Sequence, residues 1–422
     1  LRSNLLVCTG TNAPGLDTNA PAPQACLNGT TAEQAGNANA VLFDSDFKYP
    51  RELKTSIALD QQLPGGFVAS GEVLLVQTLR QVIVRDINLV PGQAGDDKYF
   101  ETYGSRWVFG DPIAPTGYRQ RRAAAGLTHV LMMDNEKTSG FAHAVTLGLE
   151  RGFGRSLTLG GSYSFNHSDD TQSLRFGETT LNYATNPTRA NPNDPDRAPS
   201  GFERPWKTVL YARGRLPDRF LGTQLSLVYI GQAGASYSYV YGSDVNGDGY
   251  PGIGIPLDAS NDLLFVPRGA SDVPGSITSA SLMEQLIQKE SCLEEARGTV
   301  MRRNACRGPA SHRLDAKLVQ PVHLGGGRRV EISGSVINAL NLLNSDWGRV
   351  YDVPSLVPVL TQGERMERVG IDNVIVPTSR ASLRYVGGVE RDAAGLLRAT
   401  LPHVLVIPES QWQAQVGIQF YF

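Results

Sequence analysis

The sequence has no stretch approaching the roughly 18 consecutive apolar residues that a transmembrane helix requires. That excludes a helical membrane protein and leaves a membrane β-barrel open, because barrel strands do not register in hydropathy windows. A basic excess is also absent. Lys and Arg number 39 against 41 Asp and Glu, giving a net charge of -2 and a pI near 6.4, so nucleic acid is not an expected partner. Methionine is scarce at 5, whereas Gly reaches 45 and Pro 25, a balance that favours strands and long loops over helices. Neither H-E-x-x-H nor G-x-S-x-G occurs, and the six histidines (129, 143, 167, 312, 323 and 403) are scattered. The acid pairs Asp169-Asp170 and Glu294-Glu295 read as solvated loop residues, not as acid/base dyads. No catalytic set emerges, and an enzyme is not expected.

Only four cysteines are present, and none has the C-x2-C spacing of a metal site. They fall as two local pairs in polar stretches, Cys8 with Cys26 and Cys292 with Cys306. Four cysteines allow three pairings. Two local disulfides are the simplest of them and imply an oxidising compartment.

What is present is alternation. In the final QWQAQVGIQFYF, Trp412, Ala414, Val416, Ile418, Phe420 and Phe422 share one side of an extended strand, with Gln413, Gln415, Gly417, Gln419 and Tyr421 on the other. SLTLGGSYSFN repeats the pattern, setting Leu157, Leu159, Tyr163 and Phe165 against Thr158, Ser162 and Ser164. Its neighbour HAVTLGLERGF is joined to it by Gly154-Arg155, a two-residue hairpin connection. Three further hairpins pair 54–63 with 67–84, 206–217 with 222–232, and 312–323 with 330–341.

Four hairpins and the terminal strand make nine expected strands. Their turns are short at one end, whereas the connections at the other end are long, at roughly 91–125, 168–204, 243–310 and 346–410. Soluble sheets do not sort loops by side in this way, and loops beyond about 15 residues are uncommon in them. Outer-membrane barrels have short periplasmic turns and long extracellular loops. Both cysteine pairs fall in the long-loop set, on the oxidised exterior. Glu150, Arg313, Asp315, Lys317 and Glu331 sit in mid-strand, where a packed core would reject them and a watery lumen accepts them. The expected fold is therefore all-β, an antiparallel transmembrane β-barrel with long extracellular loops and lipid against its apolar face. A secreted β-sandwich with one solvated face is the competing reading. Single-chain bacterial barrels have even strand numbers and cannot leave an edge in lipid. Nine strands, with no initiator Met ahead of LRSNLLVCTG, suggest that residues 1–422 are the C-terminal portion of a larger barrel.

Several stretches resemble the C-terminal half of TonB-dependent outer-membrane receptors of the Oar-like branch. They are LDQQLPGGF (59–67), FERPWKTVLYARGRLP (202–217), DVNGDGYPG with NDLLFVP (244–267), RRNACRGPASHRLDAKLVQ (302–320), INALNLLNSDWG (337–348) and the terminal QWQAQVGIQFYF. The resemblance implies a 22-stranded barrel closed by a plug, which imports a scarce ligand with energy relayed by TonB. Neither plug nor TonB box is visible in this sequence. Trp412, Ile418, Phe420 and Phe422 resemble the signal by which the barrel-assembly machinery recognises its clients. Aromatic residues at a strand end also suit the membrane interface. An adhesin or surface scaffold on the same barrel is the alternative function.

DVNGDGYPGIGI contains G-x-G-x-x-G (Gly247, Gly249, Gly252), but Pro251 and Pro256 forbid the helix that a dinucleotide fingerprint needs. Asp244, Asn246 and Asp248 occupy positions 1, 3 and 5 of an EF-hand-like calcium loop, with Gly249 at 6. Position 12 is Ile255, so a further acid such as Asp258 or Asp262 would have to complete the site; an ordinary Asx-turn loop is the alternative. Tyr237, Tyr239 and Tyr241 suit an interfacial girdle or, less readily, a ligand-facing rim.

Overall fold

The computed structural model describes residues 38–89, 109–111, 119–120, 127–136, 140–154, 156–217, 222–250, 260–273, 276–363, 366–369, 374–377 and 382–422. Cys8, Cys26, Gly252, Ile255, Pro256 and Asp258 lie outside the described residues. The expected nine strands form one antiparallel wall: β1 (Arg51–Leu63), β2 (Phe67–Asp86), β3 (Phe141–Phe153), β4 (Leu157–Asp170), β5 (Trp206–Arg215), β6 (Gln224–Gln232), β7 (Ser311–Gly325), β8 (Arg328–Ile337) and β9 (Gln413–Tyr421). Each pairs with its neighbours in chain order. Among the described residues, β1 and β9 each have a wall neighbour on one side only.

The turns are as tight as the sequence suggests. Between β1 and β2 the chain reverses through Gly65 and Gly66, both at positive φ (82° and 78°), a conformation that L side chains rarely adopt. All four short turns and the end of β9 lie at one end of the wall, and the long connections leave from the other.

Register carries the alternation across the sheet. Ile57, Val73, Val145, Phe165 and Trp206 form one continuous row over five strands. Ile418 lies beside Ile332, and Phe420 beside Val330. Among the described residues, nothing covers this face. Leu157 and Leu159 are 37% and 40% exposed, and Ile418 and Phe420 are 62% and 60% exposed. A sandwich would have buried these side chains beneath a second sheet. A bare apolar surface spanning nine strands far exceeds what a soluble monomer leaves in water. Arg151 is the one basic residue in the middle of the LERGF run that falls on this side. It sits near the short-turn end, with its guanidinium 4.6 Å and 4.4 Å from the Phe67 and Phe153 ring centres, a cation–π placement suited to a membrane–water boundary.

The described parts of the later long connections include regular structure. Cys306–Arg307, Ser236–Tyr241, Leu356–Gly363 and Ser382–Tyr385 form a four-stranded sheet. The helix Ile277–Lys289 packs against it, contributing Leu282, Met283, Leu286 and Ile287 to one shared core. Ser276 caps that helix by accepting from the Thr278 N–H at 3.2 Å. The Cys292–Cys306 disulfide is formed, with Cα atoms 5.3 Å apart, and bridges the segment after the helix to the sheet. Tyr237, Tyr239 and Tyr241 correct the girdle and rim expectation: all three are buried in this outer body. A second, smaller core of Val84, Leu131, Tyr183, Ala184 and Tyr250 gathers the far end of β2, the strand Leu127–Glu136 and residues from later connections.

Candidate functional site

Glu150, Arg313, Asp315, Lys317 and Glu331 all fall on the wall face opposite the apolar rows. Period-2 geometry alone puts them there, and Glu150, Arg313, Asp315 and Glu331 make polar contacts on that face. Arg313 pairs with Asp315 at 2.9 Å, and Asp315 also accepts the Asn338 N–H at 3.0 Å. Arg329 reaches Glu331 at 3.2 Å, and the Tyr421 hydroxyl donates to Glu331 at 3.1 Å. The Tyr211 hydroxyl donates to Glu150. These are partly exposed groups in contact with water, each pair contributing about 0–1 kcal/mol. Their arrangement describes a partly exposed charged surface.

Trp412, Ile418, Phe420 and Phe422 lie on the other face at the chain end, all exposed. Asp169 and Asp170, expected in a loop, end β4 and are paired: Asp169 with Arg197 at 2.9 Å, and Asp170 with the buried Arg303 at 2.7 Å.

A denser polar site lies where three outer connections meet. Asp244 accepts the backbone N–H groups of Gly247 (2.6 Å), Asp248 (3.2 Å) and Gly249 (2.8 Å), which curls the DVNGDG segment around its carboxylate. Asp248 accepts from the Tyr250 N–H at 3.1 Å and from the Asn261 amide at 2.7 Å. Asp262 accepts the Val245 N–H at 3.0 Å. Asp248, Asn261 and Asp262 are fully buried, and Asp244 is partly buried. Burial, and next the Asp262 carboxylate, push Asp244 up to about 7; burial with Asp244 and Asp262 raises Asp248 as well. Among the described residues, two amide atoms here have no hydrogen-bond partner, Asn261 Oδ1 and Asn246 Nδ2. The sequence located Asp244, Asn246 and Asp248. Asp262 it offered only as one of two completing acids, and Asn261 it missed, since nothing in its local pattern marks an asparagine that folds back across a connection.

One cavity lies among the outer connections, and another where strands β2 to β4 of the wall meet residues 202–204. One, of about 230 Å3, is lined by Thr188, Arg189, Asp196, Arg197 and Arg303 among others. Arg197 and Arg303 are already held by Asp169 and Asp170. The other, of about 250 Å3, lies among Leu74, Val76, Ala144, Phe202 and Glu203. Both fall below the roughly 300–1,000 Å3 of small-molecule sites. Glu290 lies against Cys292 and Cys306, but the disulfide consumes both thiols and removes them as metal ligands. The Tyr237 hydroxyl donates to Glu290 at 3.0 Å, and burial raises the Glu290 carboxyl.

Residues 3–347 match the family described as outer membrane beta barrel domain, which is most of the chain. The chain belongs to the outer membrane β-barrel domain family. As an outer membrane β-barrel domain it is placed in the outer membrane. Among solved structures, the crystal structure of the outer membrane transporter YddB from Escherichia coli aligns with 92% of this chain and 34% of that one, at 11% identity and a TM-score of 0.40. This barrel domain thus spans about a third of the length of that structure. No curated protein matches it.

Proposed function

We propose that this barrel domain is the C-terminal part of a TonB-dependent transporter of the Oar-like branch, importing a scarce ligand through a plugged lumen. The observation that carries the reading is the wall itself: nine strands, a charged face opposite an apolar face, and, among the described residues, an open edge at β1 and at β9. Backbone groups left unpaired in hydrocarbon cost several kcal/mol each, so those edges call for partner strands from a larger closed barrel. Glu150, Arg313, Asp315, Lys317 and Glu331 then line the passage. The short turns face the periplasm, and the outer body faces the exterior, where its disulfide would persist. Trp412, Ile418, Phe420 and Phe422 serve recognition by the barrel-assembly machinery and closure of the wall.

The folded outer body favours a second reading. An adhesin or surface scaffold would use a rigid external domain and need no passage. Reading the gene upstream of Leu1, and testing whether the intact product binds the periplasmic domain of TonB, separates the two. A plug, a TonB box and binding are expected. Their absence sinks transport and leaves the scaffold.

A further inference from the structure

The geometry points to a phosphate-binding site in the arginine-lined cavity among the outer connections. Four guanidiniums border this space of about 230 Å3: Arg189 and Arg197 from the connection after β4, and Arg302 and Arg303 from the connection before β7. One carboxylate, Asp196, shares the lining. Arg303 is the fixed member. Its side chain is 4% exposed and is held by the Asp170 carboxylate at 2.7 Å and by Ser173 Oγ at 2.9 Å. Arg197 is held by Asp169 at 2.9 Å. Arg189 and Arg302 form no ion pair among the described residues, and both are exposed. The surroundings are crowded with positive charge. Burial depresses the nearby Arg175 guanidinium, Asp170 opposes that, and Arg303 and Arg204 depress it further. Like charges gathered in this way repel one another, and an anion between them removes the repulsion.

The independent sign is Thr188. It lines the same cavity at 3% exposure, and its buried hydroxyl has no hydrogen-bond partner among the described residues. Its backbone is fixed, with the N–H donating to the Asn261 carbonyl at 2.8 Å and the carbonyl accepting the Leu263 N–H at 3.1 Å. The hydroxyl is therefore a donor held in place without an acceptor, which buried polar groups seldom are. A carboxylate ligand is planar and is satisfied by a single guanidinium fork. A phosphate is tetrahedral, carries about two negative charges and offers several acceptor oxygens, so it suits guanidiniums arriving from two connections together with a hydroxyl. The cavity is below the size of a drug-like ligand site and admits a phosphate group, free or at the end of a larger external molecule. Binding there would clamp the connection after β4 to the one before β7. This holds whether the outer surface serves transport or adhesion.

The test uses the full chain purified in detergent, in two arms. Radiolabelled inorganic phosphate is the probe in equilibrium dialysis; phosphatidic acid, compared with diacylglycerol in mixed micelles, is the probe in the second. Saturable binding of one phosphate group per chain is expected. Binding of the free ion assigns a soluble ligand, and binding of phosphatidic acid alone assigns a lipid headgroup. The Arg189→Gln/Arg302→Gln variant should bind about 10-fold more weakly, the scale of lost hydrogen bonds to a charged group. Both arginines are exposed and unpaired among the described residues, so its heat-modifiable mobility and protease resistance should match wild type. Thr188→Val keeps the shape of the side chain and should weaken binding about 3-fold. A diffuse cationic surface would ignore that hydroxyl. Saturable binding in neither arm, or wild-type affinity in either variant, overturns the assignment.

Discussion

Two nearly identical strings meet opposite fates in this molecule. In β4, Ser162-Tyr163-Ser164-Phe165 runs through the wall, and Tyr163 stands 47% exposed on the apolar face. In the outer body, Ser236-Tyr237-Ser238-Tyr239 also forms a strand, and there both tyrosines are wholly buried. Its serines are buried too, so that strand has no wet side. Local pattern is the same in both places; what differs is what lies over the strand. Leu147 and Thr208 flank Tyr163 within one open layer, whereas Tyr237 and Tyr239 share a core with Leu286 and Met283 of a helix. A period of two reports that a strand has two faces. It does not say which solvent, or which neighbour, each face meets.

The wall and the outer body should therefore come apart under mutation. Leu286→Ala removes a fully buried side chain, and a core truncation of that kind costs about 2–5 kcal/mol. Its effect is expected in the outer body alone: faster proteolysis there, with the heat-modifiable gel mobility of the wall retained. Loss of both properties together would show that the two regions fold as one unit. Replacing Cys292 and Cys306 with Ser should act in the same place. The bridge closes a short loop, with a sequence separation of 14, and such closure contributes about 3 kcal/mol. Reducing agent should reproduce the effect in wild type. Arg151→Ala tests the short-turn end of the wall. Losing a cation held over Phe67 and Phe153 should lower wall stability by about 0.5–1 kcal/mol, read as a small drop in the urea midpoint, and leave proteolysis of the outer body as it was.

The wall was legible because hairpins announce themselves locally. Gly65-Gly66 and Gly154 reverse the chain, and strict alternation on either side fixes the register. The five mid-strand charges followed from parity alone. The outer body was not legible, for a physical reason. Its sheet pairs segments far apart in sequence, Ser236–Tyr241 running parallel to Leu356–Gly363, and no local signal carries such a pairing. The helix Ile277–Lys289 did leave a trace, since Ser276 precedes it and Ala280, Met283, Ile287 follow a helical stride. Surrounding Pro and Gly masked it. Ala38–Phe43 and Leu127–Glu136 were missed likewise, because they pair with each other in parallel, and Leu127–Glu136 pairs with the far end of β2, beyond any hairpin. At the acidic junction, the loop residues could be read from spacing, but Asn261 and Asp262 arrive by tertiary folding.

Lipid contact on one face and water on the other is the claim beneath all of this, and two adjacent residues test it. Leu147 and Thr146 sit at mid-strand in β3 on opposite faces. Arginine should be introduced at each and folding into bilayers followed by urea titration. Leu147→Arg is expected to destabilise by about 2–4 kcal/mol, the cost of a cation near the membrane midplane, with Thr146→Arg nearly neutral. Equal tolerance at both positions, or a larger loss at Thr146, would contradict it.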